Sequence, residues 1–299
     1  MNIISFDIEE WYLEKTLHGN RKEKYIEYDR YLDAVLDLLD RQGFKATFFC
    51  VGGMATDFPE VVKRIDGRGH EIGCHSLAHR WLNKMEPKEA LEDTRTSVDA
   101  LEQCIGKKVR IYRAPAFSIG ESSKWAFDVL AECGIEIDSS VYPAARDFGG
   151  FPNFASKKPC IIEHNGIKIK EFPIPLTKLL GKELGFTGGG YFRFFPLNYI
   201  EKKIKAMEGE QDPNNAMMFY FHISDLLPET NGMMSRKEYE DYFLEPGPLT
   251  ARLKRYVKSN LGKKKALGKL KKLIESHEFV SIQQADEMTD WNNATVASL

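Results

Sequence analysis

An α/β fold with a parallel sheet closed into a (β/α) barrel is what this 299-residue sequence predicts. Three observations carry the prediction. Short apolar runs alternate with longer segments of helical periodicity. About eight such runs in a chain of this length suit a barrel better than an open sheet. Most residues able to do chemistry fall at or just after the C-terminal ends of those runs, where barrel active sites are built.

The predicted strands are 3–7, 46–51, 71–75, 109–113, 135–138, 167–172, 216–222 and 279–282, each apolar and bounded by turn-forming or polar residues. Helices are expected at 29–42, where Leu32, Val35, Leu36 and Leu39 share a face, and at 59–67, 87–104, 122–133 and 196–207. A late helical run spans about 249–275. Gly43, Gly67, Gly106 and Gly134 stand just past or at the ends of four of these segments, where a left-handed cap is wanted. Residues 144–196, rich in Pro, Gly and aromatics, read as loops forming one wall of a cleft. The expected organisation is a barrel over 1–245 and a helical extension over 246–299 packed on it. The last residues, 291–299, lack periodicity and are expected to be poorly ordered.

A formal net charge of -2 gives no global cationic field for nucleic acid. Five cysteines, odd in number, widely spaced and without a C-x-x-C pair, fit reduced buried thiols better than a disulfide framework. The N-terminus enters a strand-like run at once, with no signal-peptide pattern, and no stretch approaches the ~20 apolar residues of a membrane span, so a cytoplasmic location is expected. Between residues 251 and 272 there are ten Lys or Arg and no acid, interleaved with Leu253, Val257, Leu261, Leu267 and Leu270. A solvated helix face is the default reading. The sharper one is an amphipathic surface for anionic lipid or a lipid-linked saccharide.

His75-Ser-Leu-Ala-His79 is the most informative stretch, since two imidazoles one helical turn apart can converge on a single metal ion. A third ligand would come from Asp7, Glu9 or Glu10. On a strand, i and i+2 share a face, so Asp7 and Glu9 can look into the barrel mouth together while Ile8 packs outward and Glu10 turns away. Two imidazoles and a carboxylate leave a coordination position open for water, the pattern of a catalytic site. Arg113, Asp138 and His222 each end a predicted strand. For Asp138 the rival role is a turn carboxylate using Ser139 and Ser140. His70 reads as a structural histidine, and His18, His164 and His277 as surface residues. Gly188-Gly-Gly190 lacks the following Lys-Ser or Lys-Thr of a phosphate loop. Close backbone approach or positive φ is the better account of those glycines, and Tyr191 and Phe192 offer faces on which a sugar ring could stack.

Phe6-Asp-Ile-Glu-Glu-Trp11, Gly69-His-Glu-Ile-Gly-Cys-His75, Arg113-Ala-Pro-Ala-Phe117, Asp138-Ser-Ser-Val-Tyr-Pro143, Gly188-Gly-Gly-Tyr-Phe-Arg193 and the run ending at His222 occur in this order. Together they resemble the motifs of the polysaccharide deacetylase superfamily, the NodB-homology carbohydrate esterases, and within it the branch associated with exopolysaccharide biosynthesis. The resemblance implies a distorted barrel of seven to eight strands and a hydrolase removing N-acetyl groups from amino sugars of a polysaccharide or its precursor. It implies a divalent metal, zinc before cobalt or nickel, held by Glu9, His75 and His79. Asp7 would be the base and His222 the general acid, with Arg113 holding Asp7 and Asp138 tuning His222. Ala116, Phe117, Tyr142, Tyr191 and Phe192 would contact substrate, with a backbone N–H after the Arg-x-Pro motif in the oxyanion hole. The chain departs from the usual adjacent aspartates by reading Asp-Ile-Glu. The expected partner is an N-acetylated saccharide, without nucleic acid. Two alternatives are a metal-free amidohydrolase on a small amide, resembling allantoin hydrolases, and a non-catalytic saccharide binder on a degenerate barrel.

Overall fold

The apolar runs become strands that are buried on both faces, which is why they read as continuous rather than alternating. The structure is a computed structural model describing residues 1–299 except Asp147, Leu180, Gln211 and Asn231. Its strands are β1 (Asn2–Ile8), β2 (Thr47–Cys50), β3 (Glu71–Cys74), β4 (Ile111–Tyr112), β5 (Ile137–Asp138), β6 (Cys160–His164), β7 (Ile167–Glu171), β8 (Leu176–Leu179), β9 (Lys182–Gly185), β10 (Met217–His222) and β11 (Thr295–Ser298). Among the described residues nine of them form one sheet in the order β10-β1-β2-β3-β4-β5-β7-β6-β11. All neighbours are parallel except β6 and β7, and β8 and β9 make a separate antiparallel pair.

The seven strands from β10 to β7 curl around an interior. Ile3, Phe49, Ile111, Ile137, Phe172, Met218 and Tyr220, drawn from or next to strands across the whole arc, meet in one apolar cluster. Their neighbours Ile4, Phe6, Phe48, Phe219 and Phe221 point the other way into the larger core beneath the helices. That is the period-two alternation of a barrel wall. An isolated parallel bridge between Gly188 and Tyr220 starts an eighth position on the free side of β10. The α/β architecture with a mostly parallel, distorted sheet is therefore the one expected.

Helices cover the outside at Lys22–Gln42, Pro59–Gly67, Pro87–Ile105, Ala126–Glu132 and Leu197–Glu208. Gly43, Gly106 and Gly134 take the left-handed conformation expected of them; Gly67 does not, and Gly69 does so two residues later. Four other expectations need correction. A helix the sequence pattern does not announce, Glu10–His18, starts directly after the first strand, where the carboxylates read as a strand end. The late helical run breaks at Gly262 (φ 75) into Leu249–Asn260 and Lys263–Ser276. Residues 279–282 make only one bridge, Val280 to Ile3, because Ser281 Oγ accepts from the Gln284 N–H (3.2 Å) and starts the helix Ile282–Met288. Residues 291–299 are not disordered: β11 pairs with β6 over four positions and buries Ala297. Ile282 and Ala285 pack into the barrel interior, so the C-terminal segment helps fill the core.

Candidate active site and metal cluster

Register brings the chemistry to one end of the sheet. Asp7 lies opposite His222, and one residue further along β1 Ile8 starts a row that runs through Cys50, Cys74, Tyr112, Asp138 and Glu171 across the strands. His75 and Arg113 directly follow β3 and β4. Glu9 lies just beyond β1 at the entry to the helix Glu10–His18, with φ -132° and ψ -20°.

Glu9, His75 and His79 each offer one ligand atom, all within 4.8 Å of one another. Glu9 Oε2 is 2.7 Å from His79 Nε2 and 3.6 Å from His75 Nε2. Residues 75–79 are not helical, contrary to the spacing argument; Ser76 (φ 61) and His79 (φ 56) are left-handed and turn the loop so that the second imidazole returns to the first. His75 Nδ1 lies 2.7 Å from the Arg113 carbonyl. Donating there fixes the tautomer and leaves the Nε2 lone pair aimed at Glu9, as in a histidine whose far nitrogen is held by a carbonyl while the near one ligates a metal. Glu9 Oε2 is buried without an aligned hydrogen-bond donor. A divalent cation fits these three groups: it satisfies the orphaned oxygen and both Nε2 atoms and leaves a fourth position open. Burial would raise the Glu9 carboxyl, but the imidazoles of His79, His222 and His75 around it hold it well below the usual carboxylate range. Glu10, by contrast, is buried facing elsewhere, its Oε1 accepting from the Ser224 N–H (2.6 Å).

Arg113 is wholly buried and donates from Nη1 to Asp7 Oδ1 (2.8 Å) and Ser5 Oγ (2.9 Å), from Nη2 to Ser139 Oγ (3.0 Å) and from Nε to the Ser139 carbonyl (3.1 Å). Its guanidinium lies 4.1 Å from the Phe49 ring centroid. So held, it fixes the Asp7 carboxylate through a charge-assisted bond in a dry setting. His222 Nε2 is 3.8 Å from Asp7 Oδ2 and 3.7 Å from Glu9 Oε1, across the same opening.

The carboxylate behind His222 is Asp225, not Asp138. Asp225 Oδ2 is 3.0 Å from His222 Nδ1 and also accepts from the His222 N–H (3.0 Å). Asp225 Oδ1 in turn lies 3.3 Å from Arg193 Nη2. Burial works against the charge on His222, but Glu9 and Asp225 outweigh it and push the imidazole up to about 10. Burial likewise opposes the Asp225 charge, and His222 and Arg193 pull it down to about 2. Asp138 instead takes the turn role: Ser140 donates to it from Oγ (2.5 Å) and from N (3.2 Å), and its strand partner is Glu171. Burial raises both of those carboxyls, Glu171 the more because it faces Asp138. The sequence reading assigned no role to Asp225 or Arg193, since His222-Ile-Ser-Asp225 lacks the Ser or Thr that marks a helix start.

The expected substrate-contacting set divides. Ala116 and Phe117 form a left-handed pair (φ 55 and 54) beside Arg113, a conformation costly outside glycine and braced by the Gly150 N–H donating to the Phe117 carbonyl (2.9 Å). The Phe117 N–H is committed to the Ala114 carbonyl (3.0 Å). Tyr142 and Phe192 are buried core residues, Tyr142 bonded to the Gly185 N–H and Phe192 edge-on to Phe221, so neither presents a face to a sugar. Tyr191 is half-buried against the core. The aromatic wall at the cluster comes from elsewhere: Tyr242 stacks on His79 with centroids 6.2 Å apart, beside Phe243, Phe148 and Trp81. Gly188 and Gly189 serve close approach, since an added Cβ would meet Tyr220 at 2.0 Å or Asp225 Oδ2 at 1.7 Å. His70 is structural: its Nδ1 accepts from the Ala46 N–H (3.3 Å), and burial lowers it to about 4.

Residues 23–137 match the family model for polysaccharide deacetylase, and residues 139–287 match a domain of unknown function (DUF3473). The region similar to polysaccharide deacetylases carries His75, His79 and Arg113, and the second region completes the same sheet and supplies His222, Asp225 and Arg193. A peptidoglycan-N-acetylglucosamine deacetylase of Bacillus cereus is 27% identical over 121 residues, covering 39% of this chain and 44% of the relative. A chitooligosaccharide deacetylase of Bradyrhizobium sp. is 35% identical over 98 residues, covering 32% and 42%. The chain spans less than half the length of these curated relatives. A candidate polysaccharide deacetylase from Mycobacterium smegmatis shares the fold, with a TM-score of 0.63 at 16% identity over 100% of this chain and 92% of that one.

Proposed function

We propose that the protein is a metal-dependent hydrolase that removes N-acetyl groups from amino sugars in a polysaccharide or its lipid-linked precursor. The observation that carries this is the convergence of Asp7, His222 and the Glu9–His75–His79 cluster at one opening, with His222 Nε2 3.8 Å from Asp7 and 3.7 Å from Glu9. Mixed nitrogen and oxygen donors in a three-residue set favour zinc, with cobalt or nickel as substitutes. When bound, the ion supplies Lewis-acid polarisation of the acetyl carbonyl and a more acidic water.

The chain's own residues do the proton work. Asp7, aimed by Arg113, accepts a proton from the attacking water at Oδ2, its oxygen not engaged by the guanidinium. His222, oriented by Asp225, delivers a proton from Nε2 to the amine nitrogen as the C–N bond breaks, which an amide needs because the free amide anion is a poor leaving group. Tyr242 and the aromatics behind it form a platform for a sugar ring next to the cluster. Relatives named for peptidoglycan and chito-oligosaccharide substrates support the N-acetyl-sugar class. The exopolysaccharide-type motifs favour a precursor of that kind of polymer. Five cysteines with no disulfide among the described residues suit a reducing compartment, so we place the protein in the cytoplasm.

The test is acetate release from chito-oligosaccharides, peptidoglycan fragments and lipid-linked N-acetyl sugars, with chelator and after adding Zn²⁺, Co²⁺ or Ni²⁺. Metal-restored release from at least one of these supports the reading. Equal activity with and without chelator, or none on any N-acetyl sugar, overturns it.

A further inference from the structure

The helix Leu249–Asn260 leaves its large aliphatic side chains in solvent. None of its residues is buried. Leu249, Leu253 and Val257, with Leu261 directly after it, recur every four positions and so lie along one side, and they are 60%, 51%, 51% and 47% exposed. The inner side is mixed: Ala251 packs against the Trp81–Tyr239–Phe243 cluster, Tyr256 is half-buried, Arg252 donates to the Met234 carbonyl (3.1 Å), and Ser259 is half-buried beside Arg193. Lys254 and Lys258 border the apolar stripe, and Lys264 and Lys265 follow it, all four exposed. A stripe of leucines beside lysines, in a segment without acids, matches the apolar-plus-anionic chemistry of a charged lipid surface and not the interior of another protein.

The helix is also fixed to the catalytic mouth. Arg193, the partner of Asp225, donates to the carbonyls of Ser259 (2.9 Å) and Lys258 (3.1 Å) in its last turn. Midway along the helix, Arg255 lies 5.2 Å from the ring of Phe243, which contacts the Tyr242 that stacks on His79. Phe194, next to Arg193, is 57% exposed. Among the described residues no helix is long and apolar enough to cross a membrane.

We infer that the helix Leu249–Asn260, with Leu261, is a peripheral docking element that lies in the surface of an anionic bilayer and holds the catalytic opening beside it. Leucines enter the headgroup boundary and the lysines meet lipid phosphates; nothing in this requires the deacetylation chemistry.

Co-sedimentation of the full chain with phosphatidylcholine vesicles, with and without phosphatidylglycerol, tests it. Binding is expected with phosphatidylglycerol and falls as salt rises. The double change Leu253→Ser and Val257→Ser weakens it ~10-fold or more, with the circular dichroism spectrum and turnover of a soluble chito-oligosaccharide unchanged. Lys254→Glu with Lys258→Glu removes the preference for anionic lipid. Equal sedimentation with both vesicles, or unaltered binding by the serine variant, overturns the inference. So does self-association in sedimentation velocity that the serine variant abolishes without any vesicle binding, because a second copy then covers the stripe. Vesicle binding without turnover of any N-acetyl sugar would leave the docking element standing and remove the deacetylase reading.

Discussion

His222 divides the site's work between two carboxylates, and the two can be separated by pH. In the proposed role of general acid His222 must be protonated, so the rate is expected to fall as pH rises through its pKa, which Glu9 and Asp225 push up to about 10 in the metal-free chain. Asp225→Asn removes one of those charges and should move the alkaline limb of kcat/KM to lower pH, while Asp138→Asn should leave the limb in place. An unmoved limb in Asp225→Asn would return the tuning role to another group. For the metal, elemental analysis should find about one ion per chain, lost in Glu9→Ala, His75→Ala and His79→Ala. Glu10→Ala should keep it, since Glu10 holds the Ser224 N–H instead; loss there would move the ligand by one residue. Most of these residues were legible in the sequence because each ends an apolar run. Asp225 was not, because it lies past the strand in a four-residue helix, and strand-end logic pointed to Asp138. Tyr142 and Phe192 misled for a related reason: sequence shows an aromatic ring but not which side of a wall it packs on.

Gly189 shows how an element positions a side chain it does not carry. The helix Gly189–Phe194 passes so near the strand β10 end that a Cβ at Gly189 would lie 1.7 Å from Asp225 Oδ2, whereas at Gly190 the nearest atom is Arg193 Nη2 at 3.8 Å. Gly189→Ala should therefore displace Asp225 and lower kcat by roughly 100-fold with metal still bound, and Gly190→Ala should be silent. Equal effects of the two would mean that backbone freedom, not space, matters there. Long periodic helices and the apolar strands were readable, but β4 and β5 are only two residues each where runs of five and four were expected. Edge strand β11 was missed because four residues carry too little pattern; its order comes from pairing with β6. Deleting residues 294–299 should lower Tm by roughly 3 °C and leave acetate release intact, as read by calorimetry and assay; an unchanged Tm would show that the pairing contributes nothing.

At the scale of the whole molecule, two regions that match different family models join with the segment before them to build one sheet and one site: Asp7 and Glu9 precede the first match, His75, His79 and Arg113 lie in it, and His222, Asp225 and Arg193 lie in the second. The barrel is the reason, because a curled parallel sheet brings β10 beside β1 and so His222 opposite Asp7. The central claim is that this juxtaposition is an acid–base pair around a metal-binding cluster. It is tested most directly by measuring acetate release and bound metal together in Asp7→Asn. The account predicts metal at the wild-type level, since Glu9, His75 and His79 are untouched, and kcat lower by ~100-fold or more. Wild-type turnover in Asp7→Asn would contradict it.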